Sequence, residues 1–171
     1  MSRRITPTYI LLNQITLAAA SGSVTFSNIP QNYGDLVLVA DASTTASGVT
    51  LDIRFNGDTG SNYSAVELIG RSNGVASAAG TDVYFRPLGN TFGTTPFQTI
   101  MQVMDYSATD KHKTALFRPS SFDTSLGSYL LKAQAGRWAS TSAVTSITLT
   151  SLFNSREFAI GSTFSLYGIA A

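Results

Sequence analysis

The stretch Val49-Thr50-Leu51-Asp52-Ile53-Arg54-Phe55-Asn56-Gly57 decides the fold. Val49, Leu51, Ile53 and Phe55 alternate with Thr50, Asp52 and Arg54, and a two-residue period places the four apolar side chains on one face of a β-strand. That face is expected to be core, and the other wet or docked. Asn56-Gly57 then supplies two residues that tolerate the positive φ angles of a tight hairpin. Outward from this strand the same signature recurs: short runs rich in β-branched and aromatic residues, separated by Gly, Asn, Ser and Asp. It predicts strands near Thr8 to Leu17, Ser23 to Ser27, Leu36 to Asp41, Ala65 to Gly70, Asp82 to Leu88 and Phe97 to Tyr106, and then near Lys113 to Arg118, Ser128 to Ala135, Val144 to Leu149 and Thr163 to Ile169.

Helical spacing is not sustained anywhere, and turn signals fall at Asn73-Gly74, Gly89-Asn90 and Ser125 to Gly127. The stretches Ser43 to Gly48 and Ser72 to Gly80 read as loops between sheets. Many short strands with regularly spaced turns predict an all-β fold, a two-sheet antiparallel sandwich of the jelly-roll type. No fixed-period repeat and no compositional break divides the chain, so residues 1–171 are expected to form a single domain, with 1–7 a flexible N-terminal arm.

Charged residues make up 12% of the chain, about half the usual share. Lysine occurs only at 111, 113 and 132 and glutamate only at 67 and 157, whereas Ser and Thr fill about a quarter of the positions. Lys and Glu are depleted at protein interfaces while Tyr, Phe and Arg are enriched, so this balance predicts a surface that faces other protein. A formal charge of +1 offers no general pull toward nucleic acid, and Arg3-Arg4 is too short for a basic arm. With no cysteine, disulfides and thiolate sites are excluded. The segment Ile10 to Ala20 is interrupted by Asn13, Gln14 and Thr16, and no apolar run reaches the length of a membrane helix.

The residues of catalysis are sparse. His112 sits in Asp110-Lys111-His112-Lys113, a polar cluster at a strand entrance, without a Gly-x-Ser-x-Gly elbow. Most acidic residues stand in turns (Asp35, Asp58, Asp110, Asp123) or beside a basic neighbour (Arg156-Glu157), which disfavours the paired carboxylates of a glycosidase. The turn from Asn56 to Asn62 offers several oxygen atoms but one carboxylate, so it is read as a Gly-rich turn whose Asp and Asn cap their own backbone, not as a calcium loop. No cofactor, no metal and no enzymatic activity is expected. Trp138 is read first as core; in a glycan-binding alternative, Trp138, Tyr63 and Tyr84 would stack on sugar rings.

The strings Ser23-Val24-Thr25-Phe26-Ser27-Asn28-Ile29-Pro30, Asp35-Leu36-Val37-Leu38-Val39, and Ile53-Arg54-Phe55-Asn56-Gly57-Asp58-Thr59-Gly60-Ser61-Asn62-Tyr63-Ser64 resemble a family of small virion proteins of tailed bacteriophages. The ending is similar too, with Ser146-Ile147-Thr148-Leu149 and Gly161-Ser162-Thr163-Phe164-Ser165-Leu166-Tyr167-Gly168-Ile169. The resemblance implies a jelly-roll-like capsid decoration (cement) protein on the outer surface of the phage head, with the major capsid protein as partner. The alternative it leaves open is a receptor- or glycan-binding module of a tail or fibre. It also implies a homotrimer, toward which the strand Phe97 to Tyr106 is expected to offer Ile100 and Met104 while Met101 and Val103 enter its own core. Arg3 and Arg4 of the N-terminal segment are the other candidate assembly contacts.

Overall fold

A computed structural model describes residues 8–72, 74–92, 94–123, 127–152 and 156–170. Arg3 and Arg4, and with them the expected N-terminal arm, lie outside the described residues. Twelve strands follow in chain order. They are β1 (Tyr9–Thr16), β2 (Ser23–Phe26), β3 (Asp35–Ala42), β4 (Val49–Phe55), β5 (Tyr63–Arg71) and β6 (Gly74–Asp82), then β7 (Phe85–Phe92), β8 (Phe97–Met104), β9 (Lys113–Asp123), β10 (Ser128–Trp138), β11 (Ile147–Leu152) and β12 (Thr163–Ile169). Eight of them form a wide sheet in the order β1-β12-β3-β8-β9-β10-β5-β6, and four form a narrow one in the order β2-β11-β4-β7. Every pairing is antiparallel. The chain repeatedly crosses between the sheets, so the two-sheet sandwich has the connectivity of the jelly-roll type.

Alternation decides which residues meet between the layers. The narrow sheet contributes Phe26, Leu51, Ile53, Phe55, Phe85 and Leu149, all buried, and the wide sheet opposes them with Leu38, Met101, Val103, Phe117, Trp138 and Phe164. Where β4, β7, β9 and β10 come together the core is aromatic. The Phe85 ring centroid lies 4.9 Å from that of Tyr63, 5.4 Å from Phe55 and 5.2 Å from Phe117, in edge-on or tilted arrangements favoured by ring quadrupoles. Gly136 of β10 makes this possible, since a Cβ there would sit 2.5 Å from the Phe85 ring.

Several sequence expectations are altered by tertiary context. Asn56 and Gly57 do adopt positive φ (53° and 68°), with Asp58 N donating to Phe55 O at 3.0 Å. This tight turn joins no hairpin, however, because β4 belongs to the narrow sheet and β5 to the wide one. The second face of β4 is not wet: Thr50 and Asp52 are buried, and Arg86 reaches from β7 to Asp52. Gly89-Asn90, expected as a turn, continues strand β7. The expected loop Ser72 to Gly80 is mostly the first part of β6, which runs on to Asp82 and pairs with β5 over nine consecutive positions. Its small residues carry little strand propensity of their own, so the β5 ladder imposes the conformation. Asn73 of the expected Asn73-Gly74 turn lies outside the described residues.

Replacing Gly136 by alanine forces the Phe85 and Phe117 rings apart. The expected cost is about 1–3 kcal/mol, the usual penalty of overpacking, measured by urea denaturation against wild type.

Candidate functional site

The outer face of the wide sheet is built by the residues that alternate with the core. On β8 the inward set is Phe97, Thr99, Met101 and Val103, all buried, and the outward set is Gln98, Ile100, Gln102 and Met104. Strand register carries one outward row across the whole sheet. Leu11, Tyr167 and Val37 lie in it from the β1 side, Gln102 stands near the middle, and Leu116, Ala135 and Val66 continue toward β6. Only Gln102 among these is a polar amide. Of ten large apolar side chains exposed among the described residues, nine belong to strands of this sheet, Ile160 being the exception. An extended apolar face of this kind is unusual on a solitary soluble domain.

The face is not flat. Ala133 and Ala135 on β10 lie between Val66 and Leu68 of β5 and Leu116 of β9, and the short side chains leave a depression of about 550 Å³. A second, of about 310 Å³, is lined by Tyr9 and Tyr167, by Val37, Val39 and Ile100, and by Gln102 and Arg118.

Ile100 (36% exposed) opens onto this face and Met104 is half-buried at its margin, with Met101 and Val103 in the core beneath. Sequence reasoning singled out these two and missed their neighbours Leu68, Leu116 and Leu131, although the same alternation is present in β5, β9 and β10. The residues proposed to stack on sugars are placed otherwise. Trp138 and Tyr63 are buried against each other, ring centroids 6.5 Å apart and planes inclined by 22°. Neither has a face open to a ligand. The ring of Tyr84 is occupied by guanidinium groups, Arg86 at 4.4 Å and Arg54 at 5.3 Å from its centroid. His112 is exposed in the loop before β9.

The turn after Asn56 is closed by its own side chains. Asp58 Oδ2 accepts from Trp138 Nε1 (2.7 Å) and Asn62 Nδ2 (2.9 Å), and Oδ1 accepts from Gly60 N (2.8 Å). Desolvation raises the Asp58 carboxyl, but the three donors together outweigh it and hold it below its ordinary value. The Tyr63 hydroxyl accepts from Phe55 N (3.1 Å), and burial pushes its pKa up to about 12. No group of three or more metal-binding side chains occurs among the described residues.

A polar cleft of about 250 Å³ lies where β5 and β6 extend beyond the narrow sheet. Glu67 pairs with Lys132, whose Nζ also donates to Arg86 O at 3.2 Å. Gln134 Nε2 donates to Glu67 Oε2 (3.3 Å) and to Arg86 O (3.4 Å). Arg86 Nε in turn meets Asp52 Oδ1 at 2.9 Å, and burial nevertheless pushes the Asp52 carboxyl above its ordinary range. These groups satisfy one another along the inner side of the overhang; the one left over, Gln134 Oε1, is buried without a hydrogen-bond partner.

No protein-family model and no curated protein sequence matches the chain. Among solved structures it is similar to a double mutant of alginate lyase Aly36B in complex with alginate tetrasaccharide, at 12% identity and a TM-score of 0.31, covering 92% of this chain and 80% of that one. A second Aly36B mutant, in complex with alginate trisaccharide, matches at 10% identity and a TM-score of 0.32, covering 91% and 80%. Likeness at this level carries no functional argument.

The Asp58 clamp makes two measurable statements. Removing the indole by Trp138→Phe costs at least about 2 kcal/mol, the worth of a hydrogen bond to a charged acceptor, with the cavity left by the smaller ring added to it. Because the folded-state pKa of Asp58 is depressed, its contribution is complete above the ordinary value of 3.8 and is lost as pH falls through the folded-state value. Acid titration of Asp58→Asn is therefore flatter than that of wild type between the ordinary value of 3.8 and the depressed folded-state value, and a chelator leaves both melting temperatures unchanged.

Proposed function

We propose that this protein is a non-catalytic structural component of a bacteriophage virion, a decoration protein that binds the outer surface of the head through the major capsid protein. The observation that supports this most directly is the outer face of the eight-stranded sheet, broad, apolar and poor in charge. Side chains such as Leu68, Leu116 and Leu131 gain by leaving water, at about 25 cal/mol per Å² of apolar surface covered, and the absence of lysine from this face removes the commonest obstacle to such a contact. A protein that binds the assembled shell and not its dissociated subunits stabilises the shell by mass action. The few charged groups on the face, such as Arg118 and Arg137, then set orientation more than affinity.

A second reading is favoured by one feature of the same face. The smaller depression brings Tyr9 and Tyr167 together with Gln102 and Arg118, and aromatic rings beside amide and guanidinium donors suit a sugar ring. On this reading the domain is a glycan-binding module of a tail or fibre, with a site different from the one expected at Trp138, Tyr63 and Tyr84.

Heads assembled without the protein are expected to release their genome at a lower temperature than complete heads, and added protein restores the difference. The double substitution Leu116→Asp and Leu68→Asp abolishes that rescue without unfolding the domain, since both side chains are exposed. Equal heat resistance with and without the protein overturns the decoration reading. Loss of glycan binding in Tyr167→Ala and Arg118→Ala, with head stability unaffected, establishes the second one.

A further inference from the structure

A wide open sheet has two edges and the narrow sheet two more, and each is a row of unpaired backbone donors and acceptors that another strand can extend. Three of the four are guarded. β1 is broken by a register shift between Leu11 and Asn13, β2 is only four residues long, and β7 contains Pro87 and two register shifts. The fourth, β6, has none of these defences. It runs nine residues in unbroken register with β5, holds neither proline nor lysine, and carries no charge from Gly74 to Thr81. Those eight residues are all exposed, and no other described strand pairs with its free edge.

We propose that β6 is a self-association edge, pairing antiparallel with β6 of a second copy of this chain across a two-fold axis near Ala78. The occupant follows from the chemistry of the edge. Unpaired backbone groups along an extended strand are completed by another extended strand. The strand is also complementary to itself, because a two-fold centred on Ala78 pairs all nine residues and keeps like faces together. Val75, 84% exposed, then lies opposite Thr81 of the second copy on the outer face, a β-branched pair suited to cross-strand packing. Ser77 faces Ala79, and Asp82 faces Gly74, so no two charges are opposed. The two eight-stranded sheets become continuous, and the apolar outer face of each extends into the other. This assembly is distinct from the homotrimer implied by the sequence resemblance, which would be built at Ile100 and Met104, and it does not depend on the decoration reading.

Sedimentation equilibrium of the purified full-length chain tests it. The expected mass is twice the 18.1 kDa of one chain, in a concentration-dependent equilibrium. The double substitution Ser77→Lys and Ala79→Lys sets lysine against lysine in both symmetry-related pairs and weakens association about tenfold or more. Ala78→Cys, in a chain with no other cysteine, gives a covalent dimer on mild oxidation, because directly opposed strand residues have Cα atoms within disulfide range. Asn13→Cys, exposed on the opposite edge, does not. A single-chain mass throughout the micromolar range, a three-chain mass, or a dimer untouched by the lysine pair overturns the proposal; a far-UV circular dichroism spectrum of the lysine variant identical to that of wild type shows that its fold is intact.

Discussion

Four strands cannot cover the inner face of eight. Where the narrow sheet lies over the wide one, Phe55, Phe85, Phe117, Tyr63 and Trp138 interlock as an aromatic core, and Gly136 leaves the space they need. Beyond the narrow sheet, at β5 and β10, the inner face turns polar, and Glu67, Lys132, Gln134 and the Arg86 carbonyl are joined by hydrogen bonds. The junction between the two regimes is the turn after β4. There Asp58 binds the indole of Trp138 and fixes the point at which the chain leaves one sheet for the other.

The mismatch also determines where charge is spent. Two of the three lysines are withdrawn from the surface: Lys113 is buried, its ammonium donating to the carbonyls of Lys111 (2.8 Å) and Thr141 (3.3 Å), and Lys132 is occupied in the cleft. Burial lowers the pKa of Lys113, which has no carboxylate hydrogen-bonded to it to offset desolvation. Asp52 is likewise drawn inside by Arg86. The surface is therefore poorer in charge than the composition implies.

One face thus supports both functional readings. Its extent and its leucines favour a broad protein contact, whereas the depression at Tyr9 and Tyr167 favours a small polyhydroxylated ligand. The two differ in what the alanines of β10 are for. In a protein interface, the hollow over Ala133 and Ala135 receives a projecting apolar side chain; in a glycan site it is only the floor beside the aromatic subsite. The edge at β6 adds a contact of another kind, made by backbone, in which the smallness of Ala76, Ala78 and Ala79 is an advantage because it lets a second strand approach closely.

Much of this was legible in the chain alone. The alternation from Val49 to Phe55 and from Phe97 to Met104 placed the core residues correctly, since a two-residue period leaves only one assignment of faces. The Asn56-Gly57 turn and the capping role of Asp58 were readable because both rest on local backbone chemistry. What depended on partners distant in sequence was not. Strand β6 exists through its ladder to β5, and Tyr63 is core through its meeting with Phe85, whereas Trp138 was already readable as core. The apolar outer row needs seven strand registers to bring Leu11 and Ala79 into one line. Local pattern thus determined which residues face together along each strand, and only the tertiary structure decided which strands lie side by side, because register across a sheet is set by contacts between residues far apart in the chain.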